Sequence, residues 1–96
     1  MDVLTDEQIS ERLEGLPGWR RDGAGIVYAQ TLADFRAALL YVGAVAYLAE
    51  AANHHPDFTI QWNKVTLTLS THSAGGLTVN DFALAKKVNG LSKAAG

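Results

Sequence analysis

From Ala37 to Ala49 the chain runs for thirteen positions without a charged residue, and this run limits the possible folds more than any other stretch. A helix rises ~1.5 Å per residue, so the run spans roughly 20 Å, short of the ~30 Å hydrocarbon layer of a membrane. The expectation is a buried helix rather than a transmembrane one. Phe35, Leu39, Val42, Ala46 and Ala49 follow spacings of four, three, four and three, forming one continuous helical stripe. Ala38, Tyr41, Val45 and Leu48 form a second stripe. A helix from Asp34 to Asn53 that is apolar on two sides needs two partners, and one sheet face covers only one of them. A chain of 96 residues has little material for a second covering layer, so the second partner is expected to be another subunit, in a homodimer or homotetramer.

Three threonines are each followed three residues later by an acidic residue or its amide: Thr5 by Gln8, Thr31 by Asp34 and Thr78 by Asp81. Each pair fits a capping box and predicts a helix start. After the first, Ile9, Leu13 and Leu16 give the apolar face, and Gly15, Pro17 and Gly18 end the helix, which runs from Asp6 to Glu14. Strand patterns fill the gaps. Trp19 to Asp22 and Ile26 to Thr31 form a hairpin around Gly23-Ala24-Gly25, and Phe58 to Trp62 and Val65 to Thr71 form another around Asn63-Lys64. Val65, Leu67 and Leu69 alternate with Thr66, Thr68 and Ser70, as in an antiparallel sheet covered on one side. The order α-β-β-α-β-β-α implies an α+β domain, with three helices packed on one face of a four-stranded antiparallel sheet. The whole chain, residues 1–96, reads as a single domain, with a frayed tail after Gly90.

Composition removes several classes of function. A hydrophobic content of 48% with 19% charged residues suits a packed domain. A net charge of -2 and the absence of a basic run disfavour direct nucleic-acid binding. Without cysteine there is no disulfide, thiolate metal site or thiol nucleophile. The first seven residues have neither the basic nor the apolar region of a signal peptide, so the expected location is cytoplasmic, with no membrane partner.

All three histidines fall where elements end. His54 and His55 close the long helix before Pro56, which disfavours a helical conformation at His55, and His72 ends the last strand. Such positions are held by rigid elements and stay open to a ligand. Glu50 precedes His54 by four residues, so the two are expected to share a helix face, where a carboxylate holds an imidazole in one orientation and tautomer. A surface ion pair of small energy is the plainer alternative. Asp81 has a structural role as the N3 carboxylate of its capping box, and Trp19 and Trp62 suit core or sheet positions better than ligand platforms. Zinc is another use for three histidines, but no His-x3-His spacing is present, and no metal site is expected.

Together, Glu50-x3-His54-His55-Pro56-x5-Trp62-x9-His72-x8-Asp81 resembles the signature of the pterin-4a-carbinolamine dehydratase family. Gly18-Trp19, Asn63-Lys64-Val65, Leu69-Ser70-Thr71-His72 and Gly76-Leu77-Thr78 extend the likeness over nearly the whole chain. Two departures are Asn53, where some members carry Asp, and Trp62, where Tyr is common. The resemblance implies a hydro-lyase that converts 4a-hydroxytetrahydropterin to quinonoid dihydropterin and water. It also implies that His54 and His72 do the acid-base work, that Glu50 supports His54, and that His55 binds the pterin. Asn53, Pro56, Ser70, Thr71, Ser73 and Asp81 would line the pocket. The pterin is then the substrate, and no separate cofactor or metal is implied. Some members of the family serve as dimerisation or assembly cofactors, which makes a non-enzymatic interaction protein the alternative.

Overall fold

In a computed structural model, the backbone is described for residues 2–95 and the side chains for residues 2–91. The elements follow the expected order: α1 (Asp6–Glu14), β1 (Arg20–Asp22), β2 (Gly25–Thr31), α2 (Phe35–Ala52), β3 (Asp57–Gln61), β4 (Lys64–Leu69), a 3-10 turn at His72–Ala74, and α3 (Val79–Ala95). All strand pairings are antiparallel, and the sheet order is β1-β2-β4-β3. Register explains which face is covered. Ile26 lies opposite Leu69, Tyr28 opposite Leu67, and Gln30 opposite Val65, so these side chains share one face. Ile26, Val65, Leu67 and Leu69 are all buried in a core that includes Ile9 of α1, Ala38, Tyr41, Val45 and Ala49 of α2, and Phe82, Leu84, Ala85 and Val88 of α3.

The helix starts are only partly as expected. Thr5 and Gln8 form a complete capping box, the Thr5 hydroxyl accepting from the Gln8 amide and the Gln8 side chain from the Thr5 amide. Thr31 instead ends β2, and the N-cap of α2 is Asp34, whose carboxylate accepts from Ala37 N at 2.8 Å. The pairing of β2 with β4 extends as far as Thr31–Lys64, which holds Thr31 extended and leaves the cap to the next acceptor along the chain. Where a frayed tail is expected after Gly90, α3 continues among the described residues to Ala95, and Leu91 packs against the core. A glycine in a helix interior costs about 1 kcal/mol relative to alanine, which such packing can offset.

Both hairpin turns differ by a residue from expectation. The first is Gly23-Ala24, because Gly25 already pairs with Asp22. The second is Trp62-Asn63, because Gln61 pairs with Lys64. Trp62 takes a left-handed φ of 52° and is 67% exposed, so it is a turn residue and not a core aromatic. Asn63 ties this turn to the start of α2: its side-chain amide donates to Leu32 O, and Leu32 N donates to Asn63 O. Trp19 is buried as expected, stacked on Tyr28 with ring centroids 5.3 Å apart and donating from Nε1 to Asn89 Oδ1. Gly18 before it has φ of 87°, and a Cβ there would lie 2.6 Å from the Tyr28 ring.

The two apolar stripes of α2 differ in their surroundings. Ala38, Tyr41 and Val45 are buried within the chain, joined by Ala49, while Phe35 and Leu39 are about half exposed and Leu40 and Tyr47 more so. At 18 residues α2 is longer than its uncharged run and by length and composition alone could cross a membrane. Its buried stripe seats it on the sheet as a core helix.

Candidate active site

The end of α2 determines where the histidines lie. Asn53 has φ of 50° and ψ of 44°, its N–H donates to Glu50 O, and His54 N donates to Ala49 O at 3.0 Å. These are the two bonds of a Schellman motif, with Asn53 as the left-handed residue. The helix therefore stops at Ala52, and His54 and His55 lie outside it. The expected pairing of Glu50 with His54 fails for this reason, since the four-residue rule holds only within a helix. Glu50 Oε2 instead meets His55 Nε2 at 3.2 Å, an exposed pair of small energetic consequence.

The partner of His54 is Asp81. His54 Nε2 lies 2.5 Å from Asp81 Oδ1, and the Asp81 side chain has no exposed surface. Asp81 lies in the first turn of α3. Its other oxygen, Oδ2, accepts from Thr78 N at 2.9 Å and from the Thr71 hydroxyl at 2.8 Å. Thr71 and Thr78 are also 2.9 Å apart through their hydroxyls. A buried carboxylate is tolerated only when its oxygens are matched by donors, and here Oδ1 has one and Oδ2 two. The expected role of Asp81 as part of the pocket wall is thus not what its burial allows. It acts behind His54, with no surface to offer a ligand.

Thr71 brings His72 to the same corner. Consecutive Cα atoms are about 3.8 Å apart, so the residue bonded to Asp81 is adjacent to His72. His72 is exposed and begins the 3-10 turn instead of ending β4, which stops at Leu69. Thr71 N donates to Gly76 O, closing a loop over His72 to Gly75. Gly76 has no room for a Cβ, which would lie 2.9 Å from Val3, and Leu4 N donates to Leu77 O nearby. The N-terminal segment thus braces the loop that carries His72 and Ser73. Ser70 is half-buried and Ser73 exposed on either side of Thr71 and His72, and Pro56 is half-buried where the chain enters β3. Trp62 is at the far end of β3, ~20 Å of extended chain from Pro56, so it does not join this group within one chain. Among the described residues, no group of three or more His, Asp or Glu side chains is arranged to hold a metal ion.

A family model described as pterin 4 alpha carbinolamine dehydratase matches residues 2–91. The chain belongs to the pterin 4 alpha carbinolamine dehydratase family. A protein of Roseiflexus castenholzii named "Putative pterin-4-alpha-carbinolamine dehydratase" is 53% identical over 87 residues, 91% of this chain and 94% of that protein. A relative of the same name from Nocardia farcinica is 48% identical over 92 residues, covering 96% of this chain and 97% of its own. The crystal structure of a transcriptional coactivator/pterin dehydratase from Brucella melitensis superposes with a TM-score of 0.90 at 33% identity, over 99% of this chain and 100% of that one. The α+β architecture read from the periodicities is therefore the pterin dehydratase fold. Thr78 is the residue of the buried cluster to which the sequence assigned no role beyond a helix cap. The signal was present in its spacing to Asp81, because a capping-box carboxylate is a fixed negative charge at a known place.

Proposed function

We propose that this chain is a hydro-lyase that removes water from a 4a-hydroxytetrahydropterin to give the quinonoid dihydropterin. Family membership and the names of its relatives support the reaction class. The observation that carries the assignment of roles is the shared buried carboxylate: Asp81 contacts His54 directly and holds Thr71, the neighbour of His72. On this reading the two histidines, carried by different segments of the chain, serve one site.

The reaction breaks the bond from the carbinolamine carbon to its hydroxyl oxygen, delivers a proton to that oxygen, and takes one from a ring nitrogen. One water leaves and no electrons are exchanged. One histidine donates and the other accepts, since an imidazole can do either. Both Asp81 oxygens act as acceptors, so His54 presents Nε2–H to Oδ1 and keeps Nδ1 as the group that exchanges protons. His55, exposed beside Glu50, and Ser70, His72 and Ser73 contact the pterin, with Asn53 and Pro56 at the edge, while Thr71, expected to line the pocket, is buried behind them on Asp81. The pterin is substrate, and no cofactor, metal, nucleic acid or membrane takes part; the site of action is the cytoplasm. Release of water from a synthetic 4a-carbinolamine, followed by absorbance, tests this. A rate no faster than the uncatalysed one would reject it.

The chain also associates with a second copy of itself through α2. The exposed side of that helix carries Leu39, Leu40 and Tyr47 around Gly43, whose added Cβ would touch nothing within the chain. Arg36 and Glu50 each lie seven residues from Gly43, so two antiparallel copies crossing there would set Arg36 of one against Glu50 of the other. An interaction role of the kind named for the Brucella melitensis protein would use the same face and is compatible with catalysis.

A further inference from the structure

We propose that Thr71 is a positioning residue for His54, acting through Asp81, and that it couples the two histidine-bearing segments; this rests on the acid-base roles given above. The hydrogen-bond directions follow from the donors available. Asp81 Oδ2 can only accept as a carboxylate, so the single hydroxyl proton of Thr71 goes to it at 2.8 Å. The 2.9 Å contact between the threonines is then made by the Thr78 hydroxyl donating to Thr71 Oγ1. Thr78 Oγ1 in turn accepts from Asn80 N at 3.3 Å, and Thr78 N donates to Asp81 Oδ2. The result is a directed chain, from the first turn of α3 through Thr78 and Thr71 to the carboxylate. Oδ2 is occupied by two donors, and Oδ1 is left aimed at His54 Nε2.

Thr78 alone does not fix the carboxylate. Its amide is one donor on the same helix turn as Asp81, and a side chain held by one bond can still rotate. Thr71 comes from another segment of the chain, adds a second donor to Oδ2, and closes that freedom. Its backbone is itself clamped by the bond from Thr71 N to Gly76 O. The segment that carries His72 is therefore registered against the carboxylate that orients His54. Displacement of a catalytic group by about 1 Å can cost 10²-fold in rate, so such a clamp has a kinetic reason to exist.

The test compares Thr71→Val, Thr71→Ser and Thr71→Ala in the full chain. Dehydration of a synthetic carbinolamine supplies kcat and KM, and 15N spectra of labelled histidine report the tautomer of His54. For Thr71→Val, we expect kcat to fall by roughly 10-fold to 100-fold with KM within about threefold. His54 should lose its preference for the Nε2–H tautomer, and Thr71→Ser should restore both readouts. Wild-type kcat and an unchanged His54 spectrum in Thr71→Val would overturn the proposal. If Thr71→Val does not fold, Thr71→Ser and Thr71→Ala differ by the hydroxyl alone, and equal values for the two would overturn it as well. If wild-type protein shows no dehydration, the assignment of activity fails, and the tautomer comparison still decides whether Thr71 positions His54.

Discussion

Asp81 has no exposed surface, yet it carries a carboxylate that three neighbours approach from two sides. Burial of such a group without donors would be costly, so its position is determined by His54, Thr71 and Thr78 together. Replacing it by Asn keeps the volume but presents an amide that cannot accept at both ends. Asp81→Asn should lower stability by about 1 to 3 kcal/mol, read from urea unfolding, because a buried partner is left unmatched. It should also lower kcat. His54→Ala and His72→Ala should each lower kcat by ~10² to 10⁴ in steady-state dehydration, the usual contribution of one positioned acid or base. Glu50→Gln should leave kcat within about twofold and act, if at all, on KM, since its partner is the exposed His55 and not His54. A Glu50→Gln enzyme with kcat reduced as far as that of Asp81→Asn would contradict the pairing.

At the scale of elements, the boundary of α2 matters most, because one left-handed residue separates two possible partners for His54. Asn tolerates that conformation, while a β-branched residue there is strained by about 1–2 kcal/mol. Asn53→Val should therefore destabilise the domain by about that amount and reduce dehydration, whereas Asn53→Gly should keep the stability. Urea unfolding with a parallel assay distinguishes the two variants. The N-terminal end of α2 offers a companion test. Asp34→Ala should cost about 1 kcal/mol as the loss of a cap, and Thr31→Ala less, because Asp34 and not Thr31 accepts from Ala37 N.

At the scale of the molecule, α2 divides the apolar surface between core and exterior. Tyr41 and Val45 are buried against the sheet, so a charge at either should unfold the chain and not merely separate subunits. The positions that test assembly are Leu40 and Tyr47, which are 68% and 76% exposed. We expect wild-type protein to sediment as a dimer or tetramer at micromolar concentration. Leu40→Glu or Tyr47→Glu should shift it to the monomer with little change in helix content. Arg36→Glu should weaken association and Arg36→Glu with Glu50→Arg should recover it. A wild-type monomer would remove the second-copy reading.

The order of elements, the four-stranded sheet and the apolar face of β4 were legible in the sequence, because period-2 and helical patterns depend on which side chains are apolar. Val65, Leu67 and Leu69 alternate in the sequence and are all buried in the structure. The family signature set His54, His72 and Asp81 together as an expectation, and the contact of His54 with Asp81 is present. Spacing alone could not say who touches whom. Glu50 and His54 are four residues apart, and only the left-handed turn at Asn53 breaks their helical relation. Which stripe of α2 faces inward was equally undetermined, since two apolar faces are equivalent until the sheet is placed against one. Asp81 and His54 are 27 residues apart. Their contact exists because the end of α2 and the first turn of α3 are packed together, and a contact of that kind carries no local pattern.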